Sequence, residues 1–198
     1  MNITTRYHED PYALHIGTEP SRAYYLPQTP DRKPSVIDLD GEWDFHYFDS
    51  FLDAVDLEGN VAEPDMCQIQ VPSCWQCMGW GRHMYTNVRF PIPCDPPYVP
   101  EENPCGLYRR HFDLKKGEGS RYFLNFEGVD SCFYLWVNGQ FQGYSQVSHS
   151  TSEFEITANL KDGMNEITAL VLQWCDGTYL GDQDKLRMSG IFRDVYIL

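Results

Sequence analysis

Residues 132–145 read CFYLWVNGQFQGYS. Cys132–Val137 is apolar at every position, the pattern of an inner strand covered on both faces. Asn138-Gly139 follows. That dipeptide accepts the positive φ needed at both central positions of a tight hairpin turn, so Gln140–Ser145 is expected to return alongside as the second strand.

The same grammar extends outward. Tyr108–Leu114, Tyr122–Glu127, Glu153–Ile156, Glu166–Gln173 and Arg193–Leu198 are further strand candidates, with Asp162-Gly163 marking another turn. Ile167–Leu172 is a second run that is apolar on both faces. Toward the N-terminus, GEWDFHYF at 41–48 alternates, with Trp43, Phe45 and Tyr47 on one face and Glu42, Asp44 and His46 on the other, as in a half-buried strand. The spacing predicts no helix of ten or more residues, only a short helical turn within Phe51–Leu57. Many short strands separated by turns imply an antiparallel sandwich. The long Pro-, Gly- and aromatic-rich connection at 71–105 favours a jelly roll over an immunoglobulin type, and a loop of that length is more often functional than not. All 13 prolines lie at or before Pro104. Five of them, Pro11, Pro20, Pro27, Pro30 and Pro34, fall in residues 1–36, which read as an irregular arm laid over a surface. The expected fold class is therefore all-β, a jelly-roll β-sandwich over residues 37–198 with that arm in front.

Composition narrows function by exclusion. The chain carries 29 acidic against 15 basic residues, a formal charge of −14. That argues against binding nucleic acid or an anionic membrane surface, either of which needs a basic patch. No run approaches the roughly 18 to 20 apolar residues of a membrane span. The N-terminus lacks the basic start and apolar core of a secretion signal. Seven cysteines without an evident framework read as free thiols in a reducing compartment, so a cytoplasmic location is expected. Cys74 and Cys77 form a CxxC, but no second ligand pair stands at metal-like spacing, and Trp75 and Trp80 suggest a packed loop. No Gly-rich phosphate loop, HExxH or GxSxG motif is present.

Chemistry concentrates in residues 174–193, WCDGTYLGDQDKLRMSGIFR. Charged and amide side chains alternate there with Trp174, Tyr179, Leu180, Leu186, Met188, Ile191 and Phe192. A sugar site needs that mixture, apolar faces for C–H patches and directional partners for hydroxyls, although a charged connector between strands also fits it. On the residues alone, Asn87 reads as a cap of the turn before Phe90-Pro91 and Asp184 as a partner of Arg187 or Lys185. The ENP turn at 102–104 and Arg193 read as structural, and Trp75, Trp80 and Trp136 as packing residues.

LDGEWDF at 39–45, VPSCWQ at 71–76, YTNVRFPI at 85–92, PPYVPEENPCGLYRR at 96–110 and DQDKLRMSGIFRDV at 182–195 together resemble one family. It is the N-terminal sugar-binding domain of glycoside hydrolase family 2, in particular of the large bacterial β-galactosidases. The likeness runs from about residue 35 to residue 198. LDGEW and GIFRDV are widespread in the family, whereas the YTN, PPYVP, ENP and DQD blocks point to β-galactosidase rather than β-glucuronidase or β-mannosidase.

The resemblance implies a retaining hydrolase of terminal β-D-galactosides such as lactose, working through two carboxyl groups about 5 to 5.5 Å apart. In the family both belong to a separate barrel domain, so this chain, ending just past GIFRDV, is expected to be an inactive fragment with no catalytic residue of its own. Two residues carry over. Asn87 matches the asparagine that hydrogen-bonds the galactosyl unit. Asp184 matches the aspartate that contacts the sugar and ligates a sodium ion, the remaining ligands coming from the barrel and the sugar. Magnesium is expected, if anywhere, near the barrel chemistry, and the full enzyme is expected to be a homo-oligomer. Two other readings stand beside this one: a self-sufficient carbohydrate-binding module, and a structural domain whose exposed face docks a barrel or another subunit.

Overall fold

The computed structural model describes residues 1–23, 35–85, 89–181 and 184–198. In chain order the strands are β1 (His15–Ile16), β2 (Ile37–Asp38), β3 (Gly41–Phe48), β4 (Cys67–Val71), β5 (Met84–Tyr85), β6 (Cys105–Leu114), β7 (Phe123–Phe126) and β8 (Val129–Asp130). They continue as β9 (Cys132–Val137), β10 (Gln140–Gln146), β11 (Ser152–Glu155), β12 (Gly163–Leu172), β13 (Leu186–Arg187), β14 (Gly190–Ile191) and β15 (Val195–Ile197). One short helix, α1 (Phe51–Ala54), sits where a helical turn was expected, with the Ser50 hydroxyl accepting from the Leu52 N–H as its N-cap.

Two antiparallel sheets carry the fold. The larger has the order β1-β10-β9-β12-β6-β3-β4 and the smaller β11-β7-β15-β2. The hairpin turns where Asn-Gly predicts: Asn138 and Gly139 have φ of 50° and 75°, and Val137 pairs with Gln140. β9 and β12 lie side by side inside the larger sheet, with all six residues of Cys132–Val137 and of Ile167–Leu172 buried. The structure is thus a β-sandwich, and those inner strands are apolar on both faces because both faces are covered.

One cover is the other sheet. Trp43, Phe45, Tyr108, Phe133, Leu135 and Val171 of the larger sheet meet Leu124, Phe126, Phe154 and Ile197 of the smaller in a single core. The other cover comes from the N-terminal residues and α1. Ile3, Phe51, Ala54 and Val55 pack with Tyr134, Trp136, Tyr144, Leu170 and Leu172 on the outer face, joined by the half-buried Met1, Tyr7 and Ile16. Alternation along β3 serves both cores, sending Trp43 and Phe45 inward and Phe48 outward beneath α1.

β4 went unassigned in the sequence because CQIQV buries only Ile69 and Val71 at an edge, leaving a weak period.

Candidate functional site

Segments far apart in sequence meet at one end of the sandwich. β5 pairs with β13, Tyr85 opposite Leu186 and Met84 opposite Arg187. The pairing brings Tyr85 into reach of Asp184. The Tyr85 hydroxyl donates to Asp184 Oδ1. Asp184 is exposed, and so are Met84, Tyr85 and Leu186 around it. Trp80 is 37% exposed, its ring stacked on Tyr47 at 6.1 Å.

The cations expected as alternative partners of Asp184 are engaged elsewhere. Lys185 Nζ lies 4.0 Å from Oδ2 of the buried Asp130, whose Oδ1 accepts from the Ser131 hydroxyl at 2.9 Å. Arg187 is buried and donates to the Gly181 carbonyl. Both cations also line a cleft of about 340 Å³ with Gln146, Val147, His149 and Thr178. Partial burial, then the positive charges of Lys185 and Arg193, hold the His149 imidazole below its ordinary range. This corner is therefore locally basic within an acidic chain, although the carboxylate of Asp130 tempers it.

Two locks brace the edge. In the first, the Ser73 N–H donates to Ile191 O at 2.8 Å and the Trp75 N–H to Ser189 O at 2.9 Å, while Gln76 Oε1 accepts from the Ser189 N–H at 2.9 Å. VPSCWQ and SGI thus hold each other. Gly190 is required between them, because its φ is +126° and a Cβ there would lie 2.9 Å from Ser73 O. In the second lock, the buried Asn103 amide donates to Trp174 O at 2.8 Å and accepts from the Trp174 N–H at 2.9 Å. The Tyr179 hydroxyl donates to Tyr98 O at 2.6 Å, and its ring stacks on Phe90 at 5.6 Å. The 90–105 loop is in this way bound to the 174–179 segment over a small core of Ile92, Val99 and Trp174.

Of the two expected site residues, Asp184 sits on this edge, and Asn87 lies outside the described residues. Trp75 and Trp136 are buried, as expected of packing residues. Sequence reasoning missed Tyr85, two positions before Asn87 in the same motif, and Asp130, which no local pattern links to Lys185. Among the described residues no group of three or more His, Cys, Asp or Glu side chains is placed to hold a metal ion. The Asp184 carboxylate suits a hard cation in kind, but as one donor it is only part of a coordination shell.

Comparison with known proteins places this geometry in context. Residues 36–198 match the family described as "Glycosyl hydrolases family 2, sugar binding domain". A protein named Beta-galactosidase from Actinobacillus pleuropneumoniae is 48% identical over 99% of this chain, and one from Staphylococcus xylosus is 46% identical over 99%. The chain spans about a fifth of the length of these curated relatives, 20% of each. Among solved structures, an FMN-binding β-glucuronidase from Facaelibacterium prausnitzii L2-6 superposes with a TM-score of 0.58 at 18% identity, covering 82% of this chain and 22% of its own. A β-D-mannosidase from Dictyoglomus thermophilum gives 0.56 at 21% identity, covering 83% and 22%. At such low identity these two likenesses show the β-sandwich fold alone.

Proposed function

This chain belongs to the sugar-binding domain family of the family 2 glycosyl hydrolases, and from that membership we propose that it is the non-catalytic N-terminal domain of a retaining β-galactosidase. The parent polypeptide would hydrolyse terminal β-D-galactosides in the cytoplasm as a homo-oligomer. Its reacting carboxyl pair would stand on a barrel domain outside this chain, and the fragment alone would be inactive. Residues 1–36 are the arm and residues 37–198 the sugar-binding jelly roll in this reading. High identity to β-galactosidases over nearly the whole chain supports that specificity over β-glucuronidase or β-mannosidase.

One observation carries the reading: Asp184 is presented on an exposed, braced edge among the exposed side chains of Met84, Tyr85 and Leu186. A solvated connector has no reason to surround a carboxylate with exposed apolar side chains, whereas a surface that meets another domain does. Tyr85 holds Asp184 through one oxygen, orienting the carboxylate toward whatever covers the edge. In the assembled enzyme Asp184 would accept a hydrogen bond from a galactosyl hydroxyl and give one oxygen to a sodium ion, which would itself bind a sugar oxygen. Asn87 would donate to one hydroxyl and accept from another through its amide. Magnesium, where the parent uses it, would belong to the barrel. Both residues position the sugar, and neither moves a proton of the reaction.

The test is Asp184→Ala in the full-length parent. Turnover is expected to fall and its dependence on sodium to disappear. Unchanged kinetics with sodium dependence intact would remove Asp184 from the site.

A further inference from the structure

The cleft beside β13 gathers positive charge in a chain that has little of it. With 29 acidic residues against 15 basic, a cavity wall drawn from this sequence would more often carry a carboxylate than a cation. The cleft encloses about 340 Å³, and among the described residues its lining holds Lys185, Arg187 and His149 but no Asp or Glu. Lys185 directly precedes β13 and Arg187 ends it. The two stand two positions apart, so their side chains leave the same face of the extended segment. Arg187 is the informative member, at 8% exposed. Its guanidinium donates to the Gly181 carbonyl, while its buried Nε has no hydrogen-bond partner among the described residues. Nor does a carboxylate of the described residues form an ion pair with it. A guanidinium withdrawn from water without a partner charge is destabilising, so one left bare on a cavity wall points to an anion supplied from outside.

We propose that this cleft binds the phosphate group of a compact phosphate monoester, with Arg187 and Lys185 as its cationic contacts. Such a group carries a charge of about −1.5 to −2 at neutral pH and three acceptor oxygens, enough to meet both cations together, whereas a carboxylate brings a single charge. Thr178 lines the same wall, and its hydroxyl, which accepts from the Cys175 N–H at 3.1 Å, keeps its own O–H to donate. Leu14, Val147 and Leu180, all exposed, give the cleft an apolar side for the organic body of the ligand. The volume stands at the small end of ligand pockets, which sets the compact size. The neighbouring carboxylates are engaged. Asp130 accepts from the Ser131 hydroxyl and lies 4.0 Å from Lys185. The Asp176 carboxyl, raised by burial, is met by N–H groups of its own turn and by Gln146. Asp184 accepts from Tyr85. None of the three lines the cleft. Burial lowers the His149 imidazole, and Lys185, Arg193 and Arg187 lower it further against Asp130, as expected where these cations face one space. A neutral galactoside gives them no charge to pair with, so this ligand differs from the sugar assigned to the Asp184 edge.

The experiment is a titration of the chain with inorganic phosphate, sodium chloride holding the ionic strength constant, followed by proton–nitrogen NMR that includes the arginine Nε–H region. Saturable shifts are expected at Val147, Gly177 and Gly181 and at the Arg187 Nε–H. Lys185→Gln should weaken the affinity at least about tenfold, and Arg187→Met should abolish binding. Lys115→Gln, at an exposed residue just past the end of β6, should leave the affinity unchanged. Acetate over the same concentrations should not saturate the chain. Lys185 is only part-buried, so its variant decides the matter even where Arg187→Met fails to fold. A well-dispersed spectrum without saturable shifts would overturn the site, and so would an affinity that Lys185→Gln leaves intact. Acetate binding as tightly as phosphate would overturn the phosphate class.

Discussion

The Asn103 side chain reaches Trp174, 71 positions away, and satisfies both backbone groups of that residue where solvent does not reach. An amide can donate and accept in one plane, and truncation would strand a buried N–H and a buried C=O together. Asn103→Ala is expected to cost about 1–3 kcal/mol, lowering Tm by several degrees in a thermal scan. His8 sets a pH response. Its ring is 1% exposed, with Nδ1 2.8 Å from the Tyr134 hydroxyl. Burial, aided by the charge of Arg6, pushes its pKa from 6.5 down to about 3. The unfolded chain therefore binds more protons between those values. Stability from the neutral ring is whole above pH 6.5 and is lost as pH falls from 6.5 toward about 3, at up to ~1.4 kcal/mol per pH unit. Urea unfolding at about pH 7.5 and about pH 5 should show that loss, and His8→Gln should flatten it. The residues that make these contacts were visible in the sequence, but the partners were not, because no local pattern connects Asn103 to Trp174 or His8 to Tyr134.

At the scale of elements, the strands divide by how much each buries. β3 and β9 were legible to the residue, one from strict alternation and one from unbroken apolarity, since each period reports what lies on either side. β5 and β13, two residues apiece, carry no period at all, and only their pairing defines them. β1 is similar. It docks as an edge strand against β10, and Gly143 makes that approach feasible, because a Cβ there would lie 2.0 Å from Ile16 O. Gly143→Ala should therefore detach β1 while leaving the sandwich formed. Limited proteolysis is expected to cut within residues 1–23 of the variant and spare those of the parent sequence, while the β-rich circular dichroism signal persists. Equal resistance in both chains would show that β1 docks without this contact.

At the scale of the whole molecule, the two large cores lie on either face of the larger sheet, and Asp184 stands at an exposed edge. The inter-sheet core and the outer core under the N-terminal residues share the strands β9 and β12, so loosening either cover weakens both. The edge around Asp184 has no such cover. If it forms only one wall of the sugar site, the isolated chain should show no specific NMR shifts around Asp184 when titrated with galactose to low millimolar concentrations, in sodium or in potassium buffer. Specific shifts in that range would mean a complete site within this chain, and with it a self-sufficient carbohydrate-binding module.

Sequence by itself determined the class of fold, the inner hairpin, the inner pair of strands and the family, because periodicity, turn dipeptides and motif blocks are local properties of the chain. It also singled out Asp184 as a candidate. Tertiary structure alone decided that Tyr85 holds that carboxylate, that Lys185 turns to Asp130, and that the 71–76 and 189–191 motifs brace each other. It likewise brought Cys77 against Met188. Each of these is a contact between segments 55 to 118 residues apart. Such a contact leaves no signature in either segment, because the side chains meet only when the sheets that carry them close.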